Sequence, residues 1–380
     1  MADDVSVDGV RNRAGGAPIW QVRGVFLPET RRRDLWLAGG RVTFQRPAGA
    51  TEVLVDDGWI LPALVDAHTH PGHLDDWTFT GGAFEAECGE HAAAGVGAIR
   101  VLGTTARVPE ELKVRPGLPR VIAAGAWLAW SGLRSADSGC HRQVDDLVGS
   151  AVAEMTGNDG WCKVIADWEP DRPPVPVELL TATVAAVHGA GGRIAAHCQT
   201  ADGCRVAVES GVDSIEHGTH LDPALLDRMA AQHTALVPTF TPFLRDIARA
   251  RADAPSARRD WFVSGFDAHP GLVRSAHEAG VAVFAGTDST VFAPTFGDIG
   301  SEVAWLVRSG LPAVAALGAA SWDARAWLGL PGLVEGAPAD LVAYDEDPRV
   351  DIGVLGRPRR VVLGGQIVAA GRRGPGADRC

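Results

Sequence analysis

Two histidines placed one residue apart are the part of this sequence most able to do chemistry. His68 and His70 belong to the pentapeptide DAHTH, which follows the apolar run 59–65. Side chains alternate faces along an extended strand, so residues two apart point the same way. The spacing therefore predicts that both imidazoles project from the C-terminal end of a buried strand, as half of a metal site.

Further side chains that bind metals lie within or directly after other apolar, strand-like runs. They are Lys163, His197, His217 and Asp288. Imidazole and carboxylate groups suit zinc, manganese, iron or cobalt. If the runs are neighbouring parallel strands, these residues meet the histidine pair at one edge.

Lys163 needs a separate argument, because an ammonium group has no lone pair and would repel a cation. Carboxylated by carbon dioxide, the lysine becomes a carbamate whose two oxygens can bridge two cations. Only Lys113 and Lys163 are lysines among 35 basic residues. Arginine offers no comparable route, so the retained lysine favours a bridging carbamate over a side chain that merely extends its charge to solvent.

The elements that would position these residues alternate between apolar runs and alanine-rich helical patterns, including 177–188 and 223–232. This alternation is typical of a parallel α/β fold. The predicted strands are 61–66, 98–102, 120–124, 161–165, 193–196, 213–215, 235–238 and 281–285. Eight such strands predict a TIM-like (β/α)₈ barrel, whose chemistry lies at the C-terminal strand ends.

Both chain ends are rich in short strands and turns instead of helices. They predict a small β-sandwich domain formed by residues 1–57 plus 335–380, beside a barrel over 58–334. The barrel would carry all of the candidate ligands.

Composition narrows the class of partner. The formal charge is −12, and no basic run stands out, so nucleic acid and membrane surfaces are poor partners. The acidic start lacks a signal-peptide pattern, and no apolar run reaches the roughly 20 residues of a membrane span. The six cysteines lack CxxC pairing. We expect a cytoplasmic protein with a small-molecule substrate, and leave a homo-oligomer open.

Together these motifs resemble the amidohydrolase superfamily, in its binuclear branch of imidazolonepropionase-like and prolidase-like proteins with a strand-four lysine. The matching segments are LPALVDAHTHP at 61–71, Lys163, His197, GVDSIEHGT at 211–219 and GTD at 286–288. The resemblance implies two divalent ions, with zinc favoured over manganese, iron or cobalt. It assigns one ion to His68, His70 and Asp288, the other to His197 and His217, and the carbamate bridge to Lys163.

The resemblance also implies a reaction. A hydroxide bridging the ions would attack an amide, cyclic amide or dipeptide-type carbonyl, and Asp288 would act as general base and then acid. Alternatives are a lactone or phosphotriester hydrolase on the same site, a mononuclear deaminase, and a silent scaffold protein. A deaminase is disfavoured because no acidic residue follows His197 in HCQT. A scaffold is disfavoured because all six ligands are retained.

Substrate contacts are the least legible part of the sequence. Aromatic and imidazole side chains after predicted strands could contact a substrate; they are Trp130, Trp168, His141 and His220, with Trp77 and Trp127 nearby. Arg134 and Arg172 lie in loops and could pair with a substrate carboxylate. The arginine-rich segment 240–266 is predicted to act as a lid.

Overall fold

The computed structural model describes residues 18–133 and 140–368. Its strands are β1 (Ile19–Phe26), β2 (Arg31–Ala38), β3 (Arg41–Thr43), β4 (Thr51–Val55), β5 (Trp59–Pro62), β6 (Leu64–Thr69), β7 (Val96–Val101), β8 (Arg120–Ala123), β9 (Trp127–Trp130), β10 (His141–Val144), β11 (Trp161–Ile165), β12 (Arg193–Cys198), β13 (Ser214–His217), β14 (Ala235–Val237), β15 (Leu341–Tyr344), β16 (Arg360–Leu363) and β17 (Gln366–Val368). The α-helices are α1 (Gly81–Ala93), α2 (Glu110–Lys113), α3 (Leu147–Gly157), α4 (Val177–Gly189), α5 (Ala201–Ser210), α6 (Leu226–Gln232), α7 (Phe240–Ala252), α8 (Ala257–Glu278), α9 (Ile299–Arg308), α10 (Ala313–Ala319) and α11 (Trp322–Trp327).

Parallel strands in two sheets form the centre of the molecule. Strands β6, β7 and β8 make one sheet, and β10-β9-β11-β12-β13-β14 make the other. Every residue of β6, β7 and β11 is buried, because helices cover parallel sheets on their outer faces. The predicted α/β fold with parallel strands is confirmed.

The predicted eighth strand, 281–285, is not a strand. It makes one isolated bridge, from Val283 to Leu236, and Ser289 makes another to Thr69. The segment still lies between β14 and β6, since Leu236 N–H donates to Ala282 O and Ala67 N–H donates to Ala285 O, both at 2.9 Å. The two sheets are therefore linked here by single contacts and not by a continuous ladder.

The predicted first strand, 61–66, is two strands that belong to different sheets. Strand β5 pairs with β1 and β15, and the chain then crosses over at Ala63. Ala63 N–H donates to Asp340 O, whereas Leu64 N–H already donates to Gly95 O beside β7. Both sheets bury their part of this run, so the sequence is apolar throughout. The crossing from one sheet to the other is therefore not visible in the hydrophobicity of the sequence.

The predicted third strand, 120–124, ends at Ala123, and Gly125 turns the chain with φ 75°. Strand β9 then follows, and β9, not β8, pairs with β11. Strands β9 and β10 were missed because each has only four residues, and β10, His-Arg-Gln-Val, is mostly polar.

Strands from both chain ends pair in one eight-stranded sheet, in the order β17-β16-β15-β5-β1-β2-β3 with β4 beside β1. The two ends share this sheet through β5, which pairs with both β1 and β15, and the predicted division into two domains stays a prediction. The described residues form one hydrogen-bonded sheet there, and its second layer stays a prediction.

The helical predictions hold in part. Helix 177–188 is α4, whereas 223–232 begins as a 3₁₀ turn and continues as α6. The segment 240–266 is helical: it lies within α7 and α8, which are joined by 253–256, and its role as a lid stays a prediction. Arg259 Nε donates to Ala250 O at 3.1 Å and ties the two helices together. Nowhere in the described ranges does a helix have the length and apolar character needed to cross a membrane.

Candidate metal centre

The six predicted ligands line one cavity of about 270 Å³. They lie within or directly after several parallel strands, or, for Asp288, in the segment that follows 281–285, as the α/β arrangement requires. These side chains are His68, His70, Lys163, His197, His217 and Asp288. The structure therefore brings together residues that are more than 200 positions apart in the chain, and their role as metal ligands stays a prediction.

Three of the six already have the spacing of ligands around one ion. His68 Nε2 lies 3.1 Å from His70 Nε2, and Asp288 Oδ1 lies 3.3 Å and 3.1 Å from these two nitrogens. Ligands of a tetrahedral zinc, at about 2.0–2.1 Å from the ion, are about 3.3 Å apart. The donor set and the spacing both fit a divalent cation.

His70 is held so that its Nε2 faces the cavity. Its Nδ1 lies 3.2 Å from Gly103 O, which leaves Nε2 as the ligand atom. Gly103 has φ 151°, and a Cβ there would lie 2.2 Å from the Trp127 ring. Only glycine brings this carbonyl to His70 while Trp127 packs on the imidazole, with ring centroids 4.8 Å apart.

A network of buried charged side chains lies behind His68. Its Nδ1 lies 2.8 Å from Glu216 Oε2, though not in hydrogen-bonding alignment. Arg100 donates to Glu216 Oε1 at 2.9 Å, to Ser214 Oγ at 3.0 Å and to Ala67 O at 2.7 Å. Arg100 and Glu216 are both fully buried. A carboxylate behind a histidine ligand fixes its tautomer and raises its basicity.

Hydrogen bonds join the end of β6 to the segment that carries Asp288. The Asp66 carboxylate accepts hydrogen bonds from Thr287 N at 3.0 Å and Thr287 Oγ1 at 2.6 Å. Asp288 N–H donates to His68 O at 2.6 Å. A Cβ on Gly286 would lie 2.7 Å from His68 Cβ, so glycine permits this close approach.

Asp288 lies between the two sides of the cavity. Its Oδ1 faces His68 and His70, and its Oδ2 lies 3.9 Å from His217 Nδ1. Burial alone would raise the pKa of Asp288, but the charges of His68, His70 and Lys163 lower that pKa below its ordinary value. The carboxylate is therefore available as an anion.

His197 and His217 form the other side, with ring centroids 4.5 Å apart. His217 follows Glu216, and strand alternation would turn one of them away from the interior. His217 instead has φ 68°, which ends the alternation so that both face inward. Its Nδ1 lies 2.7 Å from Thr239 Oγ1. The adjoining start of α7 is held by the Glu302 carboxylate, which accepts from Phe240 N at 3.0 Å.

Lys163 is fully buried, and its Nζ has no hydrogen-bond partner within the described structure. An unpaired ammonium in such a place is costly. Burial lowers the pKa of Lys163 to about 8, which increases the neutral amine that carbamate formation requires. Its charge in turn lowers the pKa of His68, His197 and His217, after burial itself. The lysine thus fits a carbamate better than a free cation.

The predicted substrate contacts divide into two groups. Trp168 and His141 line the metal cavity, as do Trp77 and Trp127. Trp130 and His220 do not line it: Trp130 packs against the core, and His220 stacks on Trp261 with ring centroids 4.6 Å apart. Arg172 is not among the lining residues, and Arg134 lies outside the described residues.

Sequence reasoning missed the residues behind the ligands. Asp66 and Glu216 lie inside the motifs already quoted. Asp66 is two residues before His68 and Glu216 is one residue before His217, so their nearness to candidate ligands could have indicated them. Arg100, Thr239 and Glu302 carried no such signal, because their partners are distant in the chain.

Comparison with known proteins defines the class. Residues 59–368 match the amidohydrolase family, and the chain belongs to that family. It is accordingly a hydrolase that acts on carbon–nitrogen bonds.

An uncharacterized protein of Mycobacterium tuberculosis is 37% identical over 374 residues, covering 95% of this chain and 98% of the relative. A solved Xaa-Pro dipeptidase with bound methionine is similar in structure, with a TM-score of 0.77, 21% identity, and coverage of 92% of this chain and 99% of the dipeptidase. Aspergillus niger ochratoxinase is also similar, with a TM-score of 0.73, 19% identity, and coverage of 93% and 96%. At these identities the two structures establish the fold.

Proposed function

We propose that this protein hydrolyses the carbon–nitrogen bond of an amide, cyclic amide or dipeptide-type substrate at a binuclear metal centre. His68, His70 and Asp288 would hold one divalent ion, and His197 and His217 the other. Carboxylated Lys163 would bridge the two, with zinc the first choice of metal and manganese, iron or cobalt next. The Xaa-Pro dipeptidase and ochratoxinase likenesses are compatible with such a substrate.

One observation carries this proposal. A ready-made set of His68, His70 and Asp288, at ligand spacing, shares its cavity with a buried lysine whose Nζ has no partner. A lysine in a mononuclear site would be an unexplained buried cation, whereas a carbamate has a purpose when a second ion is bound.

Two divalent ions, when bound, supply a polarised carbonyl and an activated water. The chain's own groups do the rest. Asp288 accepts the proton of the attacking water at a carboxylate oxygen and passes it to the leaving nitrogen. Trp77 and Trp127 line the cavity, and Trp127 packs on His70 and so orients this imidazole. The products are a carboxylate and an amine.

The deaminase alternative lacks its acid. A carboxylate does contact the loop after His197 in space: it is Asp167, and the loop itself binds it. Asp167 accepts from Gln199 N at 2.9 Å and from Thr200 N and Thr200 Oγ1, both at 2.8 Å. A carboxylate used in this way is a structural support and not a free proton donor.

We further propose how the described sheets combine into domains. The two parallel sheets and the segment 281–289 would together form a (β/α)₈ barrel, and the two chain ends would form a β-sandwich. Support comes from hydrogen bonds that link 282–285 to both β14 and β6. The boundary near residue 58 is better set at Ala63, where the chain leaves the terminal sheet.

A substrate screen tests the proposal. Protein stripped with chelator and reloaded with zinc and bicarbonate is offered N-acyl amino acids, dipeptides, cyclic amides, lactones, phosphotriesters and amino-substituted ring compounds. We expect a carboxylate and an amine from at least one carbon–nitrogen substrate, and none from the stripped protein. Activity confined to lactones or phosphotriesters, or release of ammonia from a ring amine, would overturn the proposal.

A further inference from the structure

A second, larger groove continues from the metal cavity. It has a volume of about 750 Å³ and lies between helices α7 and α8 and the loop that follows β11. Trp168, His197, Gln199 and Phe243 line both spaces. These four residues therefore form the neck through which a substrate bound at the metal centre extends.

The walls of the groove near the neck are aromatic. Trp168 stacks on His197, with ring centroids 5.0 Å apart. The ring centroid of Phe243 lies 5.8 Å from that of His217 and 6.0 Å from that of Phe262 in α8. Trp261 and Phe262 continue the same wall. Aromatic faces of this kind bind flat apolar groups.

Charges lie at the rim and balance one another. The Glu169 carboxylate forms a two-pronged ion pair with Arg258, with both N–O distances 3.0 Å, and so joins the β11 loop to α8 across the groove. Arg249 and Arg259 also line the groove, as do Asp246 and Asp253. Among the described lining residues there are three cations and three anions, so the groove would select for size and aromatic character more than for net charge.

The position of Asp288 decides which half of the substrate enters the groove. Asp288 lines the metal cavity but not the groove, whereas His197 and Gln199 line both. If Asp288 delivers the proton to the leaving nitrogen, the amine lies on the Asp288 side. The acyl group then lies on the His197 side and points into the groove.

We propose that the substrates are amides with a large acyl group that carries an aromatic ring, and that the groove binds this ring. This inference rests on the proposed function and deepens it. Small dipeptides would fill only the metal cavity and would leave the groove empty.

A filling variant tests the inference. Ala250 lines the groove from α7, so Ala250→Trp blocks it, whereas Ala248, exposed on the same helix, does not line it. Two amides are compared that share one amine and differ only in acyl group, acetyl against naphthoyl. We expect wild-type protein to favour the naphthoyl amide by at least about tenfold in kcat/KM. Ala250→Trp should remove this preference and leave acetyl-amide cleavage within about twofold.

Ala248→Trp is the matched control and should keep the preference. Equal rates for both amides in the wild type, or an equal loss on both in Ala250→Trp, would overturn the inference. Calorimetric binding of the naphthoyl amide to all three proteins gives an answer that does not depend on catalysis. If neither amide is cleaved, calorimetry still tests the groove: loss of naphthoyl-amide binding in Ala250→Trp, with binding retained in Ala248→Trp, would support it, and equal binding to all three proteins would overturn it.

Discussion

The two sides of the candidate metal centre differ in how firmly the chain holds them. On the side of His68, His70 and Asp288, ligand atoms lie 3.1–3.3 Å apart. Behind them are Gly103 O, the Glu216 carboxylate and the Asp66–Thr287 hydrogen bonds. This side is assembled by the protein alone.

The side of Lys163, His197 and His217 depends more on what binds there. Thr239 supports His217, and Trp168 stacks on His197 at the neck of the groove, but the Nζ of Lys163 has no partner. The comparison teaches that the first ion would bind to a prepared site, whereas the second needs carbon dioxide as well. Variants on the two sides should therefore differ in which ion they lose.

The largest effect is expected where the two sides meet. Asp288→Asn keeps the shape of the side chain but removes its basicity. We expect kcat to fall by about 10²–10⁴-fold, the usual contribution of general acid–base catalysis, while some metal stays bound. Steady-state kinetics with elemental analysis of the same sample measure both. Asp75→Asn, at an exposed aspartate, is the control. Near-normal turnover in Asp288→Asn would remove the role assigned to this residue.

Lys163→Met should affect only the second side. We expect kcat to fall by about 10²-fold or more. A change in a residue that only supports a metal ligand typically costs about 10–100-fold. The bound metal should fall from two ions to one. Lys113→Met is the matched control, because Lys113 is the other lysine and pairs with Glu110 and Asp159 away from the cavity. Two ions in both variants would contradict a bridging carbamate.

Glu216→Gln should weaken the prepared side. The glutamine amide oxygen can still accept hydrogen bonds from Arg100 and Ser214. The negative charge of the Glu216 carboxylate opposite His68 is lost. We expect the affinity of the tighter ion to fall by about 10–100-fold, measured by competition with a chromophoric chelator. Glu209→Gln, on the surface of α5, should change nothing. Unchanged affinity of the tighter ion would show that the network serves folding alone.

The smallest effect is expected from Thr239→Val, which is nearly isosteric. It removes the hydroxyl 2.7 Å from His217 Nδ1. We expect the affinity of the weaker ion to fall by several-fold, at the low end of about 10–100-fold, and the tighter ion to be unaffected. Thr181→Val, which loses a hydrogen bond to Ser210 far from the cavity, is the control. A loss confined to the tighter ion would invalidate the division into two sides.

The sequence indicated the candidate ligands better than the residues that support them. His68 and His70 were recognisable because strand alternation is local, and His197 and His217 because apolar runs end at them. Lys163 stood out through the scarcity of lysine. The parallel α/β fold followed from the same alternation of apolar runs and helices.

What the sequence did not show depends on contacts between distant parts of the chain. The break at Ala63 is invisible because both sheets bury the run on either side of it. The interior position of Arg100 depends on Glu216, which is 116 residues away. The groove lies where α7 and α8 meet the loop after β11. The arginine-rich sequence of these helices did not indicate that Phe243 and Phe262 would face a groove.

The central claim is a centre of two ions joined by a carboxylated lysine, and a metal count with and without carbon dioxide tests it most directly. Chelator-stripped protein is reloaded with zinc in carbon dioxide-free buffer or with bicarbonate, then analysed by elemental and native mass spectrometry. We predict one tightly bound ion without carbon dioxide, and two ions plus the mass of one carbon dioxide on Lys163 with bicarbonate. A single ion under both conditions, with Lys163 unmodified, would contradict the account.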